Sequence, residues 1–402
     1  MTNPPKNGTI KCVISAHIRD EIAKKLDIDS DAVFITASHI HTGPKAPGIT
    51  DIKYVYGKTL EELLDDEYTR FFVKRLTDLA SLAADDLAPA KMLYTYGEVK
   101  DVSFIRRYKM TDGTIRTNPG WQNPDIVEAC DTPDEESSLL IIKREGKKEI
   151  GIVNFQVHPD LIGRTKYTAD YPKFVRDTYE ANIPNSLCMY INGAQGDSNH
   201  IDVRLDPAKD LVRGYERSRY MGKKIAMSVV SNYELAKEIN GDKVNFATKI
   251  IQVKYNKGTA EEYPIAEDIA KRYYRDGLND VELPEADFPQ KTRIGIVTWA
   301  TRIYGLQSMP EYKELILTAV SVGDVVFAGF PGEPFTEIGR QVKNNSPFAL
   351  TIPACAANGY EGYYPMMDAF AENGYEADAS RYVAGTAEKL IEASLETIKS
   401  LK

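Results

Sequence analysis

Four apolar, β-branched runs in this chain end in the same kind of break, and that pattern limits the folds open to it. AVFITAS (32–38) leads into His39 and His41, and IGIVNFQV (150–157) leads into His158. LCMYI (187–191) leads into NGAQGDSNH (192–200), and DVVFAGF (324–330) leads into Pro331-Gly332-Glu333. Short runs of this composition bounded by turn residues read as buried strands. Between them lie helical spacings: Ile18, Ile22 and Leu26 in 17–26, an amphipathic stretch over 67–87, a helix near 171–181, a long one over 208–238, one starting near Pro334, and a last one over 386–400. SLLIIKREGKKEIGIVNFQV reads as a hairpin, and ELILTAVSVGDVVFAGF as another turning at Gly323-Asp324. Mixed strands and helices in this order predict an α/β fold, mixed sheets layered with helices. Ligand sites in such folds form outside the carboxyl ends of the strands, so the four polar clusters are expected to converge there.

Composition removes several classes of function. A net charge of −9 leaves no basic stripe for phosphates, and the densest basic run, KREGKK at 143–148, sits at a hairpin tip, so no nucleic-acid partner is expected. Cys12, Cys130, Cys188 and Cys355 lie far apart with no CxxC pair, and nothing demands an oxidising compartment. The opening MTNPPKNGTIKC has no apolar core of a signal peptide, and no run approaches the length of a membrane span. The expectation is a cytoplasmic protein without an integral membrane segment.

The chain has five histidines, and His39, His41, His158 and His200 all fall at predicted strand ends. Imidazoles and a carboxylate held at such ends suit a catalytic zinc, which takes three protein ligands and keeps one position open. Two of these histidines with Glu333 supply such a set. In an extended HIH, residues i and i+2 share a face, so one ring can bind metal while the other meets substrate. The glycines of NGAQGDSNH suggest close approach of backbone N–H groups to an anionic intermediate. No Gly-Lys-Ser/Thr ending is present, which excludes a P-loop, and the lack of a GxSxG elbow argues against a Ser-His-Asp hydrolase. The stretch YYPMMDAFAENGY (363–375) reads as a loop whose Met366, Met367 and Phe370 wall a cleft.

Taken in order, SHIHTGP, FQVHP, NGAQGDSNH, FPGEPF and NGYEGYYPMMDAFAENGYE resemble the neutral ceramidase family over roughly residues 30–400. The resemblance implies a zinc-dependent catalytic domain that cleaves an amide. It implies His39, His158, Glu333 and Tyr363 as zinc ligands, His41 and Arg106 at the reacting carbonyl, and Tyr375 facing substrate. Asp197 would support this set. The family's serine motif departs here, since Asn199 stands in the serine position. The family's C-terminal β-sandwich and secretion signal are expected to be lacking. The expectation is therefore a single catalytic domain over 1–402, short at its N-terminus. Its substrate would be a small N-acyl or ester compound, smaller than ceramide. The rival readings are a non-catalytic zinc-containing binding protein for a small ligand and a metallo-phosphoesterase.

Overall fold

The structure, a computed structural model, describes residues 13–44, 60–163, 166–372 and 374–402. The N-terminal segment with Cys12, and Asn373 within the 363–375 stretch, lie outside the described residues.

Two sheets form the centre. The first has the order Lys237–Glu238, Ala90–Glu98, Glu136–Arg144, Glu149–Phe155, Ser186–Asn192. Its neighbours are antiparallel except for the last pair, which is parallel. The second has the order Val244–Lys254, Tyr312–Val322, Val325–Gly329, Leu350–Ala354, and again only the last pair is parallel. A parallel neighbour requires a crossover. The helices Asp170–Asn182 and Thr336–Asn345 supply one each.

Strand alternation explains the layering. Leu139, Ile141, Val153 and Phe155 pack with Tyr171, Val175, Met221, Ile225 and Val229 of the helices Asp170–Asn182 and Gly214–Val230. Their neighbours Leu140 and Ile152 face the other way and meet Val325, Leu350 and Ile352 of the second sheet. The far face of that sheet, through Leu315, Leu317, Val326 and Ala328, packs with Ile338 and Val342 and with Leu390, Ile391 and Ile398 of the C-terminal helix Thr386–Lys399. The result is helix, sheet, sheet, helix. Burial on both faces is why the strands read as near-continuous apolar runs. Among the described residues no helix is long and apolar enough to cross a membrane.

The structure corrects three sequence expectations. Residues 32–38 join no sheet. Ala32 ends a 3-10 turn, and the residues after it run along the 355–358 loop, where the Asn358 side chain accepts from Ile35 N (2.9 Å) and Thr36 Oγ1 donates to Cys355 O (2.8 Å). The expected 208–238 helix is confined to Gly214–Val230, because Asp206-Pro207 makes a turn before it and a 3-10 turn and the strand Lys237–Glu238 follow. The 363–375 stretch is not a loop, for it carries the short helices Met367–Glu372 and Tyr375–Ala379. Met366 packs on the core beside Ala369, and Met367 is exposed.

Candidate metal centre

The two parallel crossovers deliver residues from distant parts of the chain to one place. Glu149–Phe155 ends three residues before His158, and Val325–Gly329 ends four before Glu333. Glu333 lies beside Tyr363 in the two-residue parallel ladder Glu333–Pro334 with Tyr363–Tyr364. His39, His41 and His158 bring one ring nitrogen each within 4.8 Å of one another. Glu333 Oε2 stands 3.3 Å from His39 Nε2 and 3.4 Å from His158 Nε2, and His41 Nε2 is 3.4 Å from His39 Nε2. His39 reaches this position with a φ of 63°, in the left-handed region where a residue with a Cβ is uncommon. Thus both histidines do meet in one cluster, through a turn and not through strand alternation.

Burial sets the electrostatics. Burial pushes the Glu333 carboxyl up, but His39, His158 and a hydrogen bond from Tyr360 outweigh it and hold the carboxyl well below the usual range. Burial lowers His39, and the neighbouring Glu333 more than offsets this, so its ring is raised. His158 is lowered to about 3 by burial and by the charge of Arg106. His41 is lowered by burial and by His39. His158 Nδ1 lies 3.2 Å from Gln195 O, an acceptor only, so Nδ1 carries the proton. Its other nitrogen, Nε2, is buried with no hydrogen-bond partner and points at the cluster. Imidazoles with a buried carboxylate form a donor set that fits zinc, and the unpartnered lone pair of His158 Nε2 is the atom such an ion would take.

Arg106 lies beside this cluster and is buried. Its Nε donates to Glu376 Oε1 (2.6 Å) and its Nη2 to Gly196 O (2.7 Å), while its guanidinium lies over the Tyr363 ring at 5.3 Å. Burial opposes its charge, but Tyr363 and Glu376 hold the guanidinium well above its usual value. Tyr375 meets the Tyr363 ring edge-on at 5.9 Å. Glu376 is fully buried and its Oε2 accepts from Thr117 Oγ1 (2.8 Å).

Asp197 and Asn199 are placed differently. Asp197 Oδ1 accepts from Thr336 N and Thr336 Oγ1, both at 2.7 Å, at the start of the Thr336–Asn345 helix. Asn199 donates to Asn118 Oδ1 (2.8 Å) and accepts from Ile201 N (3.0 Å). Their side-chain hydrogen bonds run to the scaffold and not to the histidines, while Asp197 O accepts from Arg106 N (2.9 Å). The glycine amides of 192–200 are also engaged, Gly196 N with Pro334 O (2.8 Å) and Gly193 N with Phe155 O (2.9 Å), which corrects the expectation that they face an anionic intermediate. His200 pairs with Asp160 (2.8 Å), whose carboxylate also acts on His41 and His158.

Sequence reasoning missed Tyr360, Gln195 and Glu376. Tyr360 donates to Glu333 Oε1 and stacks on the His39 ring. Gln195 Nε2 reaches Glu333 Oε2 at 3.3 Å. Each sits within two residues of a position the motifs had marked, or three in the case of Tyr360 from Tyr363. Nothing in residue type separates them from ordinary core polar groups.

The fold and this cluster together define an α/β protein built around a histidine and carboxylate centre. Comparison with solved structures finds the same fold in neutral ceramidase from Pseudomonas aeruginosa, with a TM-score of 0.69, 15% identity, and coverage of 98% of this chain and 65% of that one. A ceramidase complexed with C2 matches with a TM-score of 0.69 at 14% identity, over 98% of this chain and 66% of that one. The chain therefore spans just under two thirds of the length of the structures it matches. Comparison of the sequence with family models gives no match, and comparison with curated proteins gives none.

Proposed function

We propose that this protein is a zinc-dependent hydrolase of the neutral ceramidase superfamily that cleaves an amide or ester bond. The observation that carries the reading is the convergence of His39, His158 and Glu333 on a fold shared with neutral ceramidase. These three residues would hold the ion, with Tyr363, beside Glu333 in the ladder, as a further ligand. Zinc bound there supplies the Lewis acidity that makes water nucleophilic at neutral pH.

The chain's own groups would do the rest. His41, its ring lowered by burial and by His39, would hydrogen-bond the substrate carbonyl in its neutral form. Arg106, fixed on two sides by Glu376 and Gly196, presents positive charge where an oxyanion develops. Tyr375 would orient the substrate beside Tyr363. Asp197 would act indirectly, by fixing the helix that follows Glu333. The substrate we propose is a small or medium N-acyl or ester compound. A single catalytic domain working in the cytoplasm is part of the same proposal.

The test is hydrolysis of a panel of N-acyl and ester substrates before and after chelation, with bound metal counted. Activity on short-chain substrates that is lost on chelation and restored by zinc is expected. Preference for long-chain ceramide over every short-chain substrate would overturn the size reading. Two metals per chain would favour phosphoester chemistry, and turnover indifferent to chelation would overturn the whole.

A further inference from the structure

Among the described residues, Glu333 is the carboxylate within 3.4 Å of both His39 and His158, and it meets them with a single oxygen, Oε2. A carboxylate is free to rotate about its last torsion, so something must hold Oε2 toward the rings. Gln195 donates to Oε2 itself at 3.3 Å and leaves Oε1 to others. Oε1 accepts the Tyr360 hydroxyl. The same tyrosine ring lies nearly parallel to His39, with centroids 5.7 Å apart and an angle of 17°. One side chain thus fixes the rotation of the carboxylate and the tilt of an imidazole.

Tyr360 is itself held firmly. Two residues before it, Asn358 bonds Ile35 N through its side chain (2.9 Å) and Ile35 O through its backbone N (2.8 Å). One residue after it, Glu361 N donates to Pro331 O (2.8 Å), and the Glu361 carboxylate accepts from Tyr382 Oη (2.8 Å) and pairs with Lys313 and Arg381, each at 3.3 Å. Tyr363, by contrast, directs its hydroxyl to Arg106. The two tyrosines of GYEGY therefore face different parts of the site.

We propose that Tyr360 is a positioning residue that sets the affinity of this centre for zinc, by locking Glu333 with Oε2 toward His39 and His158 and by bracing the His39 ring. The proposal rests on the reading of His39, His158 and Glu333 as the metal set. Partners of this kind around metal ligands change affinity by about 10- to 100-fold when removed.

The experiment is a Zn²⁺ titration of the chelated full-length chain against a competing chromophoric chelator, for the unchanged chain, Tyr360→Phe and Tyr360→Leu. Phe keeps the ring on His39 and removes only the hydroxyl, whereas Leu removes both. The circular dichroism spectrum and unfolding midpoint of each metal-free variant report its fold independently. Tyr360→Phe is expected to bind one Zn²⁺ about 10-fold or more weakly with its metal-free midpoint little changed, and Tyr360→Leu more weakly still. Equal affinity of Tyr360→Phe and the unchanged chain would overturn this inference while leaving the metal reading intact. Failure of the unchanged chain to bind Zn²⁺ at all would overturn the metal reading and this inference with it.

Discussion

His39 and His41 stand two residues apart and reach one cluster, but by a route the sequence pattern does not describe. The HIH spacing marked both rings correctly as neighbours, while the φ of 63° at His39 depends on the 355–358 loop that pins the preceding segment. A backbone angle set by a contact more than 300 residues away leaves no local signature. If the proposed division of labour holds, His41→Ala retains zinc and loses about 10²- to 10³-fold in kcat, as for removal of a group at the reacting carbonyl. Zinc loss equal to that of His39→Ala would show that both rings bind the ion. His158 gives a pH test. Its folded value is about 3, lowered by burial first and then by Arg106, against an ordinary ~6.5. Between these values the unfolded chain binds a proton that the folded chain does not, so through this group stability rises with pH from about 3 to about 6.5. His41 acts in the same sense and His39, which is raised, in the opposite one. In the chelated protein, ¹⁵N imidazole spectra at pH 5 should show His158 neutral with its proton on Nδ1. Titration of that ring near 6.5 would contradict the assignment.

Between elements, glycine sets how closely two loops pass. A Cβ on Gly196 would stand 2.5 Å from Glu333 O and 2.9 Å from Pro334 O, so the loop carrying Gln195 is pressed against the loop carrying Glu333. The sequence marked NGAQGDSNH for close approach to an anionic intermediate, not to another loop, and PGE only for its carboxylate. It did not reveal that they approach each other, because that follows from the pairing of two sheets. Gly196→Ala is expected to displace Glu333 and weaken zinc binding measurably in a chelator competition; affinity unchanged within error would refute that link. Asp197 satisfies the first amide of the Thr336–Asn345 helix from outside it. Asp197→Ala leaves that buried amide unpaired and should cost about 1–3 kcal/mol in urea unfolding. Three of the four apolar runs, those before His158, Asn192 and Pro331, and most long helices were legible from apolar runs and spacing, since those patterns are local; the 32–38 run was not a strand. The short helices in 363–379 were not, because packing of Met366 and Ala369 on the core selects them.

Across the molecule, the centre is tied together by groups far apart in sequence. Arg106 and Glu376, 270 residues apart, form a buried pair that joins the first half of the chain to the segment bearing Tyr375. Removing one partner strands a charge, so Glu376→Ala should lose about 3–5 kcal/mol of stability by denaturant unfolding. The Arg106→Met/Glu376→Met double variant should lose less than the sum of the two single changes. Such pairing was invisible in the sequence, where Glu376 is one of many acidic residues. The helix, sheet, sheet, helix layering then places the two parallel crossovers so that His158 and Glu333 leave their strands toward the same point. That convergence is the central claim, and bound zinc per folded chain tests it most directly. The unchanged protein should carry one zinc, and His39→Ala, His158→Ala and Glu333→Ala should each lose most of it while keeping the circular dichroism spectrum of the unchanged chain. Full zinc retention in any of the three folded variants would contradict the account.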